Sequence, residues 1–406
     1  MAERPFMNAP REAFAHHIIE ALQAQADEFI AVRRDIHKHP EMGYQEYRTS
    51  DLVAEQLEKW GYQVTRGLGG TGVVGQLRRG HGSKTLGLRA DMDALPIEEN
   101  TGLPYASCNV GIMHACGHDG HTAMLLAAAK HIAHNVEFSG TLNLIFQPAE
   151  EGLGGAKKMM EDGLFTRFPC DAVFAIHNMP GHPQGHLVLR DGPTMASSDY
   201  VTITLDGKGG HGAMPHQAAD PVVAGSAIVL GLQSIVARNV DPQETAVITV
   251  GAFNAGVANN VIPQKATLSL SVRSLNPQVR ELLEKRITEL AQAQAQSYGV
   301  RAQVEYKRGY PVLVNHLRET DFAREVAEEL AGAHRVTRQG KALTGSEDFA
   351  FFLEEVPGCY LFIGNGEGEG SHGACMVHNP GYDFNDENVA IGSAYWSLLV
   401  QRFLQN

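Results

Sequence analysis

Three apolar runs in the first half of the chain each end in polar residues with ionisable side chains, and this repeated layout is the strongest constraint on the fold. The runs read KTLGLRADMDALP, GTLNLIFQPAEEG and CDAVFAIHNMP, and each predicts a buried strand followed by a loop. Helical segments, HTAMLLAAAKHIAH and GAKKMMEDG, lie between them. This strand-helix alternation predicts an α/β fold with a mixed, largely parallel sheet covered by helices.

A different order of elements occupies the stretch from Asp199 to about Lys307. A strand, a helix, two strands, a second helix and a final strand follow the β-α-β-β-α-β order of a ferredoxin-like α+β unit. Helix-strand alternation then resumes, and a chain of 406 residues exceeds what one hydrophobic core sustains. We therefore predict a discontinuous α/β domain over residues 1–195 and 309–406, with a ferredoxin-like domain inserted at residues 196–308.

The composition restricts the class of partner and the compartment. The formal net charge of -13 and the absence of any Lys/Arg run disfavour nucleic acid and anionic membranes, which leaves small molecules as the expected ligands. Five cysteines without a CxxC pair disfavour a disulfide framework and favour a reducing compartment, so we expect a cytoplasmic location. We expect neither secretion nor membrane spanning, because neither a signal-like start nor 18 consecutive apolar residues is present.

The polar residues that follow the predicted strands are candidates for one shared site. They are Asp91, Asp93, Glu150, Glu151 and His177. In open α/β sheets, ligands bind beyond the carboxyl ends of the strands, where the loops meet. We therefore expect side chains that are distant in sequence to converge there.

The segment MHACGHDGH supplies further candidate metal ligands. Cys116 and His118 lie in a glycine-containing loop ahead of a helix predicted to begin near His121. With the carboxylates and His177 they form a set of thiolate, imidazole and carboxylate, which zinc and similar ions accept. One alternative is a buried cysteine that packs as a small hydrophobic residue beside surface histidines. Another is a cysteine nucleophile, which needs a separate base and leaves the two glutamates without a role.

The adjacent glutamates Glu150 and Glu151 end an apolar strand, where two carboxylates are costly unless each has a function. One can bind a metal ion while the other acts as general base on a metal-activated water.

The chain resembles the M20 family of metal-dependent amidohydrolases and peptidases, and within it the subgroup that acts on N-acyl amino acids and includes hippurate hydrolases and plant auxin-conjugate hydrolases. The matching segments cover nearly the whole chain in order. They are RRDIHKHPEMGYQE, RADMDALPIEE, MHACGHDGHTAMLL, QPAEEGLGGAKKM, AIHNMPGHPQG, GKGGHGAMPH, NVIP, TGSEDFAFF and HNPGYDFND.

The resemblance implies two divalent metal ions per subunit, zinc or manganese, with cobalt and nickel also compatible with the ligands. The implied ligands are Cys116 as the bridge, His118, Glu151, His177 and His378. Glu150 is the implied general base. Many relatives carry a His-x-Asp pair where this chain has Asp91 and Asp93, so we expect these two aspartates to support the ligands rather than bind metal.

The resemblance also assigns roles within the inserted domain. His211, in GKGGHGAMPH, is implied to reach the active site of a partner subunit and polarise the scissile carbonyl, although the residues alone favour a flexible surface loop. Asn260 and Arg273 are implied to hold the substrate, and an arginine suits its carboxylate. We therefore expect a homodimer or dimer-based homo-oligomer, with a catalytic domain and an inserted lid or dimerisation domain.

The expected activity is hydrolysis of N-acyl amino acids to a carboxylic acid and a free amino acid. Acetyl, benzoyl and similar acyl groups all fit the motifs. A dipeptidase or an N-carbamoyl-amino-acid hydrolase built on the same site is an alternative. A metal-holding binding protein without turnover is an alternative of another class, but such a protein would not need Glu150.

Overall fold

The computed structural model describes residues 16–405, which form two compact units. Within the described residues, the first unit comprises residues 16–189, His316–Gly340 and residues 356–405, and the second comprises Arg190–Asn315 and Lys341–Glu355. The assignment of a lid or dimerisation role to the second unit stays a prediction.

The helices and strands are numbered in chain order through both units. The helices are α1 (Ile18–Ala24), α2 (Ala26–Lys38), α3 (Tyr47–Lys59), α4 (His118–Asn135), α5 (Gly155–Glu161), α6 (Leu164–Arg167), α7 (Pro221–Arg238), α8 (Pro277–Ser297), α9 (Leu317–Ala331), α10 (Phe349–Glu355) and α11 (Asn388–Phe403). The strands are β1 (Gln63–Leu68), β2 (Gly72–Arg79), β3 (Thr85–Asp91), β4 (Gly140–Gln147), β5 (Ala172–Pro180), β6 (Leu187–Val188), β7 (Gly192–Met195), β8 (Asp199–Asp206), β9 (Gly210–His211), β10 (Ala246–Ala255), β11 (Val261–Ile262), β12 (Lys265–Ser274), β13 (Arg301–Arg308), β14 (Leu313–Asn315), β15 (Val336–Thr337) and β16 (Gly358–Gly366).

The first unit is built on an eight-stranded sheet in the order β1-β2-β4-β3-β5-β16-β6-β15. The four central strands β4, β3, β5 and β16 run parallel, while β1, β2 and β6 pair antiparallel with their neighbours towards the centre. Every residue of β4 and β16 is buried, as expected for parallel strands covered on both faces. The predicted α/β class with a largely parallel sheet is confirmed.

The helix that follows β3 is buried on nearly all sides because it lies inside the first unit. Nearly every residue of α4 from His118 to Ile132 is buried, and α4 packs against α11. This helix begins at His118, three residues before the predicted start near His121. Gly117, with φ of 89°, turns the chain immediately before it.

The second unit has the predicted ferredoxin-like order of elements. Its antiparallel sheet runs β10-β12-β8-β13, and α7 and α8 pack against it. Each helix has a proline in its first turn and a side-chain cap, since Asp220 accepts the Val222 N–H and Asn276 accepts the Gln278 N–H.

Among residues 16–405, only α7 has the length and apolar composition of a membrane-spanning helix. Its Ile228, Leu232 and Ile235 are buried in the core that it shares with the sheet of the second unit. The apolar composition of α7 is therefore explained by its packing against this sheet.

Candidate metal centre

The loop before α4 places Cys116 and His118 at the carboxyl ends of the central strands. Gly117 lies between them in the left-handed region, and a Cβ at this position would collide with the side chains of Asn178 and Tyr382. Both Cys116 and His118 are buried. The tight turn therefore directs two potential ligands into the interior of the first unit.

Two histidines present the same ring nitrogen to this interior. The Nδ1 of His118 lies 2.9 Å from the Asp93 carbonyl oxygen, and the Nδ1 of His177 lies 2.5 Å from the Asn178 carbonyl oxygen. A carbonyl can only accept, so in the neutral rings both Nδ1 atoms carry the proton and both Nε2 atoms keep a lone pair. His177 Nε2 lies 3.4 Å from Cys116 Sγ. This arrangement is typical of histidines that bind a metal ion.

The sequence predicted His177 beyond the end of its strand, but His177 lies within β5. The strand continues to Pro180 because its last residues pair with β16, with His177 opposite Phe362. The imidazole still reaches the site, since its ring centroid lies 5.9 Å from that of His118.

The potential ligand atoms fall into two groups that share one thiol. In each group the ligand atoms lie within 4.8 Å of one another, and the groups are Cys116, His118, His177 and Cys116, Glu151, His378. The distance from Glu151 Oε1 to His378 Nε2 is 3.3 Å. Cys116 Sγ belongs to both groups, and the bridging role that the resemblance implies for it stays a prediction.

Two buried atoms of the cluster lack a hydrogen-bond partner within residues 16–405. They are His118 Nε2 and Glu151 Oε1, which lie 3.9 Å apart. Buried polar atoms are rarely left without a partner. The thiol, imidazole and carboxylate donors therefore fit divalent cations.

The pKa values in the cluster reflect burial and close charges. Burial and the Glu151 charge raise the pKa of the Cys116 thiol. Burial and the neighbouring His121 hold the pKa of His177 well below its usual value. The close Cys116 sulfur and the Glu151 carboxylate raise the pKa of His378 to about 10. A cation that binds here would displace protons from the thiol and from His378.

Asp93 holds two of the ligand residues. Its Oδ1 lies 3.2 Å from His118 Nδ1, and its Oδ2 accepts the Glu151 N–H at 2.9 Å. Both carboxylate oxygens thus contact residues of the cluster, an arrangement that favours a supporting role.

Asp91 is also held by neighbours on both oxygens. It accepts hydrogen bonds from Arg89 and from His121 Nδ1, each at 2.7 Å. Burial opposes the ionisation of Asp91, but Arg89, His118 and His121 together outweigh it and hold the pKa well below the usual value. His121 Nε2 accepts the Asn178 N–H at 2.9 Å, so both ring nitrogens of His121 are engaged.

The two adjacent glutamates occupy different environments. Glu150 is buried and Glu151 is partly exposed, and a carboxylate oxygen of each lies within 4.8 Å of a His118 nitrogen. The turn that carries them begins at Ala149, whose φ of 54° is left-handed, and continues with a hydrogen bond from Gly152 N–H to the Glu150 carbonyl. The chain thus places a second carboxylate beside the ligand cluster.

The second unit holds the other predicted site residues. His211 pairs with Val261 across β9 and β11, and the Gly212 N–H donates to the Asn260 carbonyl, so His211 and Asn260 lie together on an exposed loop. Arg273, on β12, donates to Ser346 Oγ at 3.0 Å.

Two neutral polar residues link the segments that carry the ligands, and neither was predicted from the sequence. Asn178 Nδ2 donates to the Cys116 carbonyl at 2.7 Å, and the Tyr382 hydroxyl donates to Asn178 Oδ1 at 2.6 Å. Their only sequence signal is proximity, since Asn178 follows His177 and Tyr382 follows His378 by four residues.

Comparisons with known proteins agree with this geometry. Residues 87–402 match Peptidase family M20/M25/M40. The chain is 46% identical over 388 residues to a hippurate hydrolase of Campylobacter jejuni, which covers 96% of this chain and 99% of the relative. It is 40% identical over 384 residues to thermostable carboxypeptidase 1 of Saccharolobus solfataricus, which covers 93% and 95%. Its structure is similar to that of a dinuclear metal-binding peptidase of the M20 family from Bacillus subtilis, with a TM-score of 0.81, 31% identity and coverage of 94% and 99%.

Proposed function

The chain belongs to peptidase family M20/M25/M40 and is a hydrolase of amide C–N bonds, and we propose that it cleaves N-acyl amino acids with Glu150 as general base. Membership of the family confirms the resemblance drawn from the sequence motifs. The observation that carries the proposal is the pair of ligand groups sharing Cys116, with the Glu150 carboxylate next to them.

The proposed metal ligands are Cys116, His118, Glu151, His177 and His378, and the proposed ions are two Zn²⁺ or two Mn²⁺. The thiolate favours zinc, whereas the carboxylate and imidazole ligands also suit manganese, cobalt and nickel. When bound, such ions polarise an amide carbonyl and acidify water.

Glu150 moves the protons in the proposed reaction. Its carboxylate accepts a proton from the water that attacks the amide carbon. It then donates that proton to the amide nitrogen as the C–N bond breaks, which yields a carboxylic acid and a free amino acid. Burial suits this role because it limits the access of competing water.

His211 is proposed to donate a hydrogen bond to the carbonyl oxygen of substrate held by a partner subunit. The Ala213 N–H lies 3.1 Å from His211 Nδ1 and donates to it, so in the neutral ring the proton resides on Nε2. The exposed Nε2–H is then a donor suited to a developing oxyanion. Asn260, on the same loop, and Arg273 are proposed to hold the substrate carboxylate.

The proposed assembly is a homodimer formed through the second unit. Strand β10 lies at an edge of its sheet, where backbone groups can pair with a second chain. The adjacent helix α7 exposes Val222, Val223 and Leu230, the last of which is 75% exposed. Pairing of two copies about a two-fold axis would cover both features. The cytoplasmic location stays a prediction.

Peptide hydrolysis is the second candidate function, and the 40% identity to a carboxypeptidase favours it. Hippurate is N-benzoylglycine, so a hippurate hydrolase and a carboxypeptidase both release an amino acid whose carboxylate is free in the substrate. The two candidates therefore share the proposed role of Arg273 and differ in the group on the other side of the amide.

Amino-acid release by the purified, metal-loaded protein tests the proposal. The substrates are N-acetyl, N-benzoyl and N-indoleacetyl amino acids beside dipeptides and N-carbamoyl amino acids, each with Zn²⁺ or Mn²⁺ and with a chelator. We expect chelator-sensitive release from one acyl class. Faster turnover of dipeptides or carbamoyl compounds would replace the proposed substrate, and silence on all of them with metal bound would exclude the enzyme function.

A further inference from the structure

The residue before the proposed general base has an unusual backbone conformation. Ala149 has a backbone φ of 54°, a left-handed value that is unfavourable for residues with a Cβ atom. Its carbonyl accepts the Gly155 N–H at 3.0 Å, and its side chain is fully buried. Because Ala149 directly precedes Glu150, this conformation sets the direction in which the Glu150 side chain leaves the backbone.

A buried carboxylate from a distant part of the sequence binds this residue. Glu46 Oε1 accepts the Ala149 N–H at 2.8 Å, and Glu46 Oε2 accepts the Thr71 hydroxyl at 2.6 Å. Glu46 belongs to the segment RRDIHKHPEMGYQE, to which the sequence analysis assigned no chemistry. One oxygen thus joins the beginning of α3 to the turn that carries the glutamates, and the other joins it to the connection between β1 and β2.

The environment of Glu46 is unfavourable to a carboxylate. Burial and the negative charge of Asp93 raise the pKa of Glu46 to about 7, although the Thr71 hydrogen bond acts in the opposite direction. An apolar side chain would be buried here at lower cost, so the carboxylate indicates a role other than packing.

The backbone next to Glu46 also lies against the turn. A Cβ on Gly43 would approach the Ala149 Cα to 3.0 Å and Leu153 Cδ1 to 2.7 Å. Tyr44 donates its hydroxyl proton to the Leu153 carbonyl at 3.1 Å. The segment from Gly43 to Glu46 therefore packs along the turn from Ala149 to Leu153.

We infer that Glu46 is a positioning residue that holds Ala149 in its left-handed conformation and so directs the Glu150 carboxylate towards the reacting water. The effect on turnover rests on the proposed function of Glu150, whereas the effect on the backbone does not. Glu46 acts through the Ala149 amide and needs no contact with the substrate.

A double-mutant cycle separates this role from simple packing. Glu46→Met keeps the volume and removes both acceptors, so we expect kcat to fall about 30-fold with KM changed less than about threefold at full metal loading. Glu46→Gln keeps an acceptor for the Ala149 N–H and is expected to retain kcat within about threefold. Glu58→Ala, an exposed change on α3, is the matched control and is expected to change neither parameter.

Ala149→Gly provides the rescue, since glycine adopts positive φ without support. In the Glu46→Met background it is expected to restore kcat to within about threefold of Ala149→Gly alone. A residue that only stabilised the fold would show no rescue, because the added glycine increases the entropy of the unfolded chain. If Glu46→Met does not fold, the double variant must fold and meet the same criterion. Its failure to fold, or absence of rescue, overturns the inference.

Unfolding supplies a readout that does not depend on activity. In chemical denaturation, Glu46→Met is expected to destabilise the protein more when Ala149 is present than in the Ala149→Gly background, and equal effects contradict the inference. Metal affinity, measured by calorimetric titration of the metal-free variants, checks that the loss of kcat occurs with metal bound. If the wild-type chain released no amino acid from any substrate, the proposed function would fail, while the unfolding cycle would still decide the role of Glu46.

Discussion

Two buried polar clusters, one in each unit, differ in whether their atoms are satisfied. In the second unit, Asp199 accepts hydrogen bonds from the Arg280 guanidinium, the Tyr306 hydroxyl and the Gly309 N–H, and Arg280 also donates to the Gly309 carbonyl. In the first unit, the cluster around Cys116 leaves atoms of two ligand residues without such a partner among residues 16–405.

The difference distinguishes a structural cluster from a binding cluster. The charges around Asp199 neutralise one another, so nothing further is needed to make their burial tolerable. The thiol, carboxylate and imidazole groups around Cys116 can each offer a lone pair to a metal ion, so one added cation can interact with several of them at once. A buried ionic group is therefore informative about function when its partners are incomplete, and about stability when they are complete.

The largest effect is expected from a variant that removes the proposed general base beside the Cys116 cluster and leaves the proposed metal ligands unchanged. Glu150→Gln removes the proposed base and keeps the shape of the side chain, so we expect kcat to fall about 10⁴-fold. Steady-state amino-acid release measures the loss, and metal analysis checks that the ions stay bound. Glu161→Gln, at an exposed position of α5, is the control. Near-native turnover of Glu150→Gln would remove Glu150 from the mechanism.

The second-largest expected effect tests the Asp199 cluster, whose polar atoms partner one another. Asp199→Ala leaves the Arg280 charge buried without its partner, and we expect the free energy of unfolding to fall by about 3–5 kcal/mol. Chemical denaturation measures it. Asp206→Ala removes an aspartate from ion pairs with exposed Arg301 and Lys265, and it is expected to lower the free energy of unfolding far less because solvent screens these pairs. Equal losses would mean that the buried pairing of Asp199 with Arg280 stabilises the fold no more than an exposed ion pair does.

Metal removal tests whether the Cys116 cluster depends on a bound cation for its stability. Free metal at about 100 times its dissociation constant stabilises the folded protein by about 3 kcal/mol, so a chelator is expected to lower the unfolding free energy by that amount. The Asp199→Ala protein should show the same difference, because its altered cluster binds no metal. His118→Ala should reduce the difference. If chelation left wild-type unfolding unchanged, the Cys116 cluster would not be a metal site.

The fold and the site differ in how far sequence patterns predict them. Apolar runs such as LNLIFQ predict buried strands because few other structures bury such a run, and their carboxyl ends locate the site. His378 was identified only through the family resemblance, since a histidine before Asn-Pro looks like an ordinary turn. Its placement depends on a left-handed φ of 64° and a hydrogen bond from its N–H to the Ala115 carbonyl.

Asn178 and Tyr382 could not be predicted because neither side chain carries a charge or a reactive group. Their importance lies in which backbone and side-chain atoms they join, and that depends on packing between distant segments. The start of α4 was misplaced by three residues for a related reason. The left-handed turn at Gly117 allows the helix to begin at His118, and a glycine in a loop does not reveal which turn it adopts.

The smallest effect concerns the contact that joins the ligand segments. Tyr382→Phe removes the hydroxyl that donates to Asn178, and we expect metal affinity to fall about tenfold because the loops bearing Cys116 and His378 lose a common support. Competition with a chromophoric chelator measures this affinity.

Tyr395→Phe is the matched control for this contact. It removes another buried tyrosine hydroxyl of the first unit, one that donates to the Ala323 carbonyl away from the cluster. Each variant should lower the unfolding free energy by about 1 kcal/mol, because each loses one buried hydrogen bond. Only Tyr382→Phe should weaken metal binding. Equal metal affinities in the two variants would mean that Tyr382 stabilises the fold without positioning the ligands, and the Cys116 cluster would then depend on its own residues and on Asp93.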